Sequence, residues 1–131
     1  MPIWAIRFFC TRAGRREFLR EYERQSAKVR AEFRATVNGL RDQPDITGWA
    51  RYNGFDRLSR EYRALGKFRF NVENVQHRPL GYFGPGPKTY TLLVWATERD
   101  GDYAPRGVRD TALRRMGMVE HDPRLADECD F

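Results

Sequence analysis

Two arginines in the stretch KFRFNVENVQHRPLGYFG, Lys67 to Gly84, are the first residues whose type and spacing point to chemistry. Arg69 and Arg78 flank Glu73-Asn74 symmetrically. That dipeptide reads as a two-residue hairpin turn, because Asn at its second position tolerates a positive φ. The turn sets Val72 opposite Val75, Asn71 opposite Gln76, Phe70 opposite His77 and Arg69 opposite Arg78. Alternation then places Phe68, Phe70, Val72, Val75 and His77 on an apolar face. Lys67, Arg69, Asn71, Gln76 and Arg78 fall on a polar, cationic one. Like charges facing each other across a ladder destabilise it by roughly 0.2–1 kcal/mol. Two arrangements relieve this: pairing with a carboxylate such as Glu61, Glu73 or Glu98, or binding an external anion. Arginine suits the second, because its planar fork grips phosphate oxygens bidentately.

The whole chain bounds what such a site can serve. At 131 residues, 40% of them hydrophobic, it has material for one domain with a modest core. The longest purely apolar run, LLVWA from Leu92 to Ala96, is far too short to cross a bilayer. In MPIWAIRFFCTRAGRR the charges follow the apolar residues, the reverse of a secretory signal, so a cytoplasmic protein is expected. Cys10 and Cys129 have neither CxxC nor metal-ligand spacing, and a reduced state is the default. Net charge is +6, unevenly spread: residues 120–131 carry −4, which leaves +10 on residues 1–119. A basic body with an acidic tail is compatible with a polyanionic partner, although an arginine-rich composition alone produces the same balance.

The elements that must position the arginines follow from periodicity. PIWAIRFF, Pro2 to Phe9, reads as an opening strand. Phe18, Leu19 and Tyr22 share one helical face, and Ser26 is the expected N-cap of a second helix with Val29, Phe33, Val37 and Leu40 as its apolar stripe. Pro44 ends that helix. Asp45 to Asn53 reads as irregular, with Trp49 and Tyr52 at the core edge. A short strand is expected near Phe55 to Ser59, then the hairpin strands Lys67 to Val72 and Val75 to Tyr82. TYTLLVWATE is apolar on both faces, as a central strand is. A last helix starts near Pro105, turns Val108, Ala112 and Met116 inward and ends at Gly117. This order predicts an α+β fold: an N-terminal strand and helical hairpin packed on a mainly antiparallel sheet, then a C-terminal helix. Residues 1–119 form the domain and 120–131 a loose acidic tail, which could instead fold over the basic face and self-inhibit.

KFRF, Lys67 to Phe70, VQHRPLGYFGPG, Val75 to Gly86, and TALRR, Thr111 to Arg115, resemble the RelE/ParE superfamily of type II toxin–antitoxin toxins, in its phage-derived HigB-like branch. Val75 to Gly86 is the most specific part, and the element order agrees from about Ile3 to Val119. The resemblance implies a RelE-like domain that cuts mRNA, usually on the ribosome, and is held inactive by a cognate antitoxin, often of the helix-turn-helix type. The implied chemistry needs no metal and no cofactor. The ribose 2′-hydroxyl attacks the adjacent phosphorus and the 5′-oxygen leaves, which calls for a base, cations and an acid.

Carried over residue by residue, the resemblance makes Arg69 and Arg78 phosphate-binding catalytic residues. Arg99 is a further basic member, and Lys67, Tyr103 and Arg109 are RNA-binding candidates. The sequence departs from the pattern where the superfamily has a tyrosine in the last helix: Arg109 stands there, and Tyr103, six residues earlier, is its possible substitute. His77 falls by parity on the apolar face and His121 in the tail, so no general base is named. Arginine does not serve as one, because it stays protonated. A binding module of the same fold, gyrase-directed as in ParE-type relatives or merely antitoxin-binding, is the alternative. A phage accessory protein is a third.

Overall fold

The computed structural model describes residues 3–128; Met1, Pro2, Cys129, Asp130 and Phe131 lie outside the described residues. The fold is α+β, with two sheets that are antiparallel but for one pairing. Strand β1 (Ala5–Phe9) opens it, followed by helices α1 (Glu17–Glu23), α2 (Ala27–Arg41) and α3 (Ile46–Arg51). Strands β2 (Phe55–Arg57), β3 (Gly66–Phe68), β4 (Phe70–Val72), β5 (Val75–His77), β6 (Leu80–Phe83), β7 (Thr89–Val94), β8 (Thr97–Arg99) and β9 (Asp102–Ala104) come next. Helix α4 (Val108–His121) and strand β10 (Ala126–Glu128) complete the described chain.

One sheet runs β10-β1-β7-β6-β3-β2, with β1 and β7 parallel; the other runs β4-β5-β8-β9. Three passages of chain contribute to both sheets by breaking midway: at Arg69 between β3 and β4, at Arg78-Pro79 between β5 and β6, and at Trp95-Ala96 between β7 and β8. The expected hairpin strands are therefore each two strands. Pro79 has no N–H to give to a ladder, and the pairing of β6 with β7 shifts register between Leu80 and Gly81. Around the bend the backbone bonds elsewhere: Arg78 N–H to Ala96 O at 2.7 Å, Phe68 N–H to Pro79 O at 2.9 Å, and Arg69 N–H to Gly54 O at 2.8 Å.

The hairpin turn itself is as the sequence implies. Glu73 (φ 51°) and Asn74 (φ 66°) both take positive φ, and Val72, Asn71 and Phe70 face Val75, Gln76 and His77. The ladder stops there, so Arg69 and Arg78 do not face each other as a strand pair. Phe68, Phe70 and His77 are buried as parity requires, whereas Val75 at the hairpin tip is exposed.

Alternation on β7 explains the layering. Tyr90 and Leu92 point into a core with Phe18, Phe33, Val37, Trp49 and Phe68, beneath α1 to α3. Leu93 points into a second core with Val108, Ala112 and Val119 of α4. Helices thus cover both faces of the larger sheet. Ser26 caps α2, its Oγ accepting from Val29 N–H at 3.3 Å. Two helical expectations are corrected. Asp45 caps α3, accepting from Gly48 N–H at 3.0 Å, and that short helix buries Trp49 fully within the core. Gly117 lies inside α4, because burial of Val119 one half-turn on carries the helix past it. Helix α4 begins at Val108, after Pro105.

The described part of the tail is structured. Strand β10 pairs antiparallel with β1, and Asp127 and Glu128 form ion pairs with Arg16 and Arg7. It borders the sheet at the edge opposite β2 and β3, so through Glu128 it does not cover Lys67 or Arg69.

Phe33 packs against Phe18, Tyr22, Phe68, Phe70 and Trp95, and is fully buried. Replacing Phe33 with Ala is expected to cost about 3–5 kcal/mol, read from urea unfolding. A loss below 1 kcal/mol would show that this aromatic cluster does not hold the helices to the sheet.

Candidate functional site

The site is built around Glu98, on β8. Its Oε1 accepts from Arg78 Nε at 2.9 Å and from Lys67 Nζ at 3.3 Å. Arg78 is only 6% exposed, and one Nη donates to His77 O at 2.8 Å. The bend at Pro79 turns this guanidinium inward, toward β8, instead of along a solvent-facing strand. Burial opposes ionisation of Glu98, but the Arg78 hydrogen bond and the Lys67 charge outweigh it and hold the carboxyl below its ordinary range. Two cations share one carboxylate, so the cluster keeps a net positive charge.

Tyr103 faces Glu98 across the β8–β9 ladder. Lys67 Nζ donates to the Tyr103 hydroxyl oxygen at 2.7 Å. Because that oxygen is accepting, the phenol proton is free to point to another acceptor. The Arg109 guanidinium, in the first turn of α4, lies 5.0 Å from the Tyr103 ring centroid and 4.6 Å from that of Tyr62. Such contacts are favourable by about 0.5–1 kcal/mol at exposed sites. Tyr62 OH donates to Asp110 Oδ1 at 2.8 Å, and this bond, chiefly, raises the Tyr62 hydroxyl above its ordinary pKa. Tyr62, Tyr103, Arg106, Val108, Arg109 and Asp110 surround a recess of about 280 Å³.

Lys67, Arg78, Tyr103 and Arg109 are therefore brought together, linked through Glu98 and the Tyr103 ring. The other two sequence-derived candidates lie apart. Arg69 is about half exposed and forms an ion pair with Asp56 of β2 at 3.8 Å. Arg99 ends β8 opposite Asp102, beside the recess lined by Asn74, Val75 and Gln76. His77 is a packed histidine: its ring stacks on Phe70, and Nδ1 accepts from Trp95 Nε1 at 3.1 Å. Burial first, then the Arg78 charge, lower its pKa below 6.5.

Sequence reasoning missed Tyr62, Asp110 and the hairpin that carries Tyr103. The signal for that hairpin was present: Asp100-Gly101, between TER and DYA, is a two-residue turn in which both residues have positive φ, 52° and 85°. Compared with models of known protein families and with curated proteins, the chain matches none.

Glu98→Gln removes the carboxylate from a nearly buried guanidinium. The expected cost is about 3 kcal/mol in urea unfolding at pH 7, and a change under 1 kcal/mol would mean that Arg78 finds another partner. His77 generates a separate pH dependence. Its folded-state pKa is depressed, so the unfolded chain binds more protons below pH 6.5. Stability is fully present above pH 6.5 and is lost as pH falls toward the folded-state value. Urea midpoints are expected to fall between pH 7 and pH 5, and to fall less in His77→Asn, which keeps an acceptor near the Nδ1 position. Equal slopes in both proteins would remove His77 as the cause.

Proposed function

We propose that this chain is an RNA-cleaving toxin of the RelE/ParE type, HigB-like branch, whose RNA-facing surface is the recess lined by Tyr103 and Arg109, with Lys67 behind it on the Tyr103 hydroxyl. The observation that carries the reading is their convergence. The three residues that the resemblance marks for RNA contact come from β3, β9 and α4 and meet in one cationic, aromatic cluster. Aromatic faces beside cations suit single-stranded RNA, because every base offers a π-face and every linkage a negative charge.

In this reading the 2′-hydroxyl oxygen attacks phosphorus and the bond from phosphorus to the 5′-oxygen breaks. A 2′,3′-cyclic phosphate and a 5′-hydroxyl result. Lys67 stabilises the charge that develops on phosphorus oxygens. Tyr103, its oxygen already accepting from Lys67, donates its proton to the departing 5′-oxygen. Asp110, the carboxylate that lines the recess, accepts the 2′-hydroxyl proton through the oxygen not bonded to Tyr62. Arg78 and Glu98 act as positioning residues that hold Lys67. The partners that go with this reading are mRNA, presented by the ribosome, and a cognate antitoxin of helix-turn-helix type.

One observation favours a second reading, a binding module of the same fold. Glu98 is held by two cations and His77 is buried, which leaves few groups free to move protons.

Induced expression in bacteria with mapping of transcript ends tests both readings. Wild type is expected to produce new ends inside translated messages, with 5′-hydroxyl and cyclic-phosphate termini. Tyr103→Phe is expected to reduce them about 100-fold or more. Growth arrest without new ends would overturn the nuclease reading in favour of the binding module. Full cleavage by Tyr103→Phe would remove Tyr103 as the acid.

A further inference from the structure

A larger cleft, of about 450 Å³, opens beside the tyrosine recess, between the end of α1 and the start of α4. Its wall is apolar: Val94, Trp95, Ala96 and Val108 are all buried residues whose edges line it. Its acid is already engaged. Glu21 Oε1 accepts from Trp95 N–H at 2.8 Å and Oε2 from Arg115 at 3.1 Å. Arg24 and Arg106 stand exposed at the cleft, and neither has an ion pair among the described residues. The cleft therefore combines an apolar wall with an uncompensated positive rim. A bare inorganic anion would leave the wall uncovered, and a purely apolar ligand would leave the arginines without a counter-charge. A base joined to a phosphate satisfies both.

Continuity decides what kind of molecule brings that unit. Arg106 and Val108 line this cleft and the tyrosine recess alike, so the two form one track across the start of α4. We infer that the cleft takes a second nucleotide of the same single-stranded RNA, its base against the Trp95 and Val108 wall and its phosphate between Arg24 and Arg106. This inference rests on the RNA reading and extends it from a reactive linkage to a track with a neighbouring subsite. Arg24 lines only the cleft, so it reports on the subsite alone.

Fluorescence anisotropy with a labelled six-nucleotide single-stranded RNA, read over a salt series, provides the test. Each phosphate contact on a single strand contributes about −0.7 to the slope of log affinity against log salt. Arg24→Gln and Arg24→Glu are expected to weaken binding at least fivefold and to lower the slope by about that amount. Arg12→Glu, away from the track, is expected to stay within twofold. A dinucleotide, which fills the tyrosine recess alone, should bind Arg24→Gln as it binds wild type. If wild type binds the hexanucleotide while Arg24→Gln and Arg24→Glu match it in affinity and slope, the subsite is overturned and the RNA reading stands. Should wild type bind no RNA, both fall. If Lys67→Ala and Tyr103→Phe bind and cleave normally while Arg24→Glu binds weakly, the subsite stands and the assignment of the reactive site falls.

Discussion

The shared carboxylate of Glu98 is the contact around which the site is organised. It receives Arg78 from the bend between β5 and β6, and Lys67 from β3, while standing opposite Tyr103 in the ladder. Buried ion pairs add little net stability, because desolvation offsets attraction, yet an unpaired member is costly. Their effect is to exclude alternatives. With Arg78 only 6% exposed, any arrangement that separates β8 from the bend leaves a guanidinium without a counter-charge. Lys67 is thereby held beside the Tyr103 hydroxyl, and the β8–β9 hairpin gains a fixed place against α4.

Geometry follows from the bend as much as from charge. Were β3 to β8 unbroken, Arg69 and Arg78 would stand side by side on an open face. Pro79 and the register shift after Leu80 divide those strands into two sheets. One consequence is that Arg78 turns inward and Arg69 stays at the β2 edge with Asp56. Lys67 and Arg109, the other two cations of the cluster, each lie over an aromatic ring.

Much of this arrangement can be read from residue patterns, and the remainder has identifiable causes. Periodicity located α1, α2 and α4, and Glu73-Asn74 gave the hairpin its register, because these signals are local. Glu98 was one of three carboxylates that pattern alone left open, since strand parity does not say where a strand bends. Tyr103 has a plain local signal, the Asp100-Gly101 turn that sets it on a strand, but its meeting with Lys67 and Arg109 joins elements distant in sequence and leaves no local pattern. Gly117 and Asp45 to Asn53 misled for the opposite reason: burial of Val119 and Trp49, a tertiary effect, overrode local breakers. The acidic tail reads as loose, but β10 pairs with β1, and Glu128 meets Arg7 of β1 while Asp127 meets Arg16 at the start of α1.

The pairing of β1 carries a kinetic consequence. Ala5 bonds into register with Thr89, and Phe9 with Ala126, so the first strand joins the sheet through two very long loop closures. Their entropic cost must be met before any hydrogen bond or apolar contact is gained. Pairings this distant in sequence slow folding relative to a fold built from local contacts. Until β7 and β10 arrive, Ile6, Phe8 and Phe9 form an unpaired apolar edge open to other chains. The yield of folded protein therefore depends on chain concentration during assembly as well as on native stability.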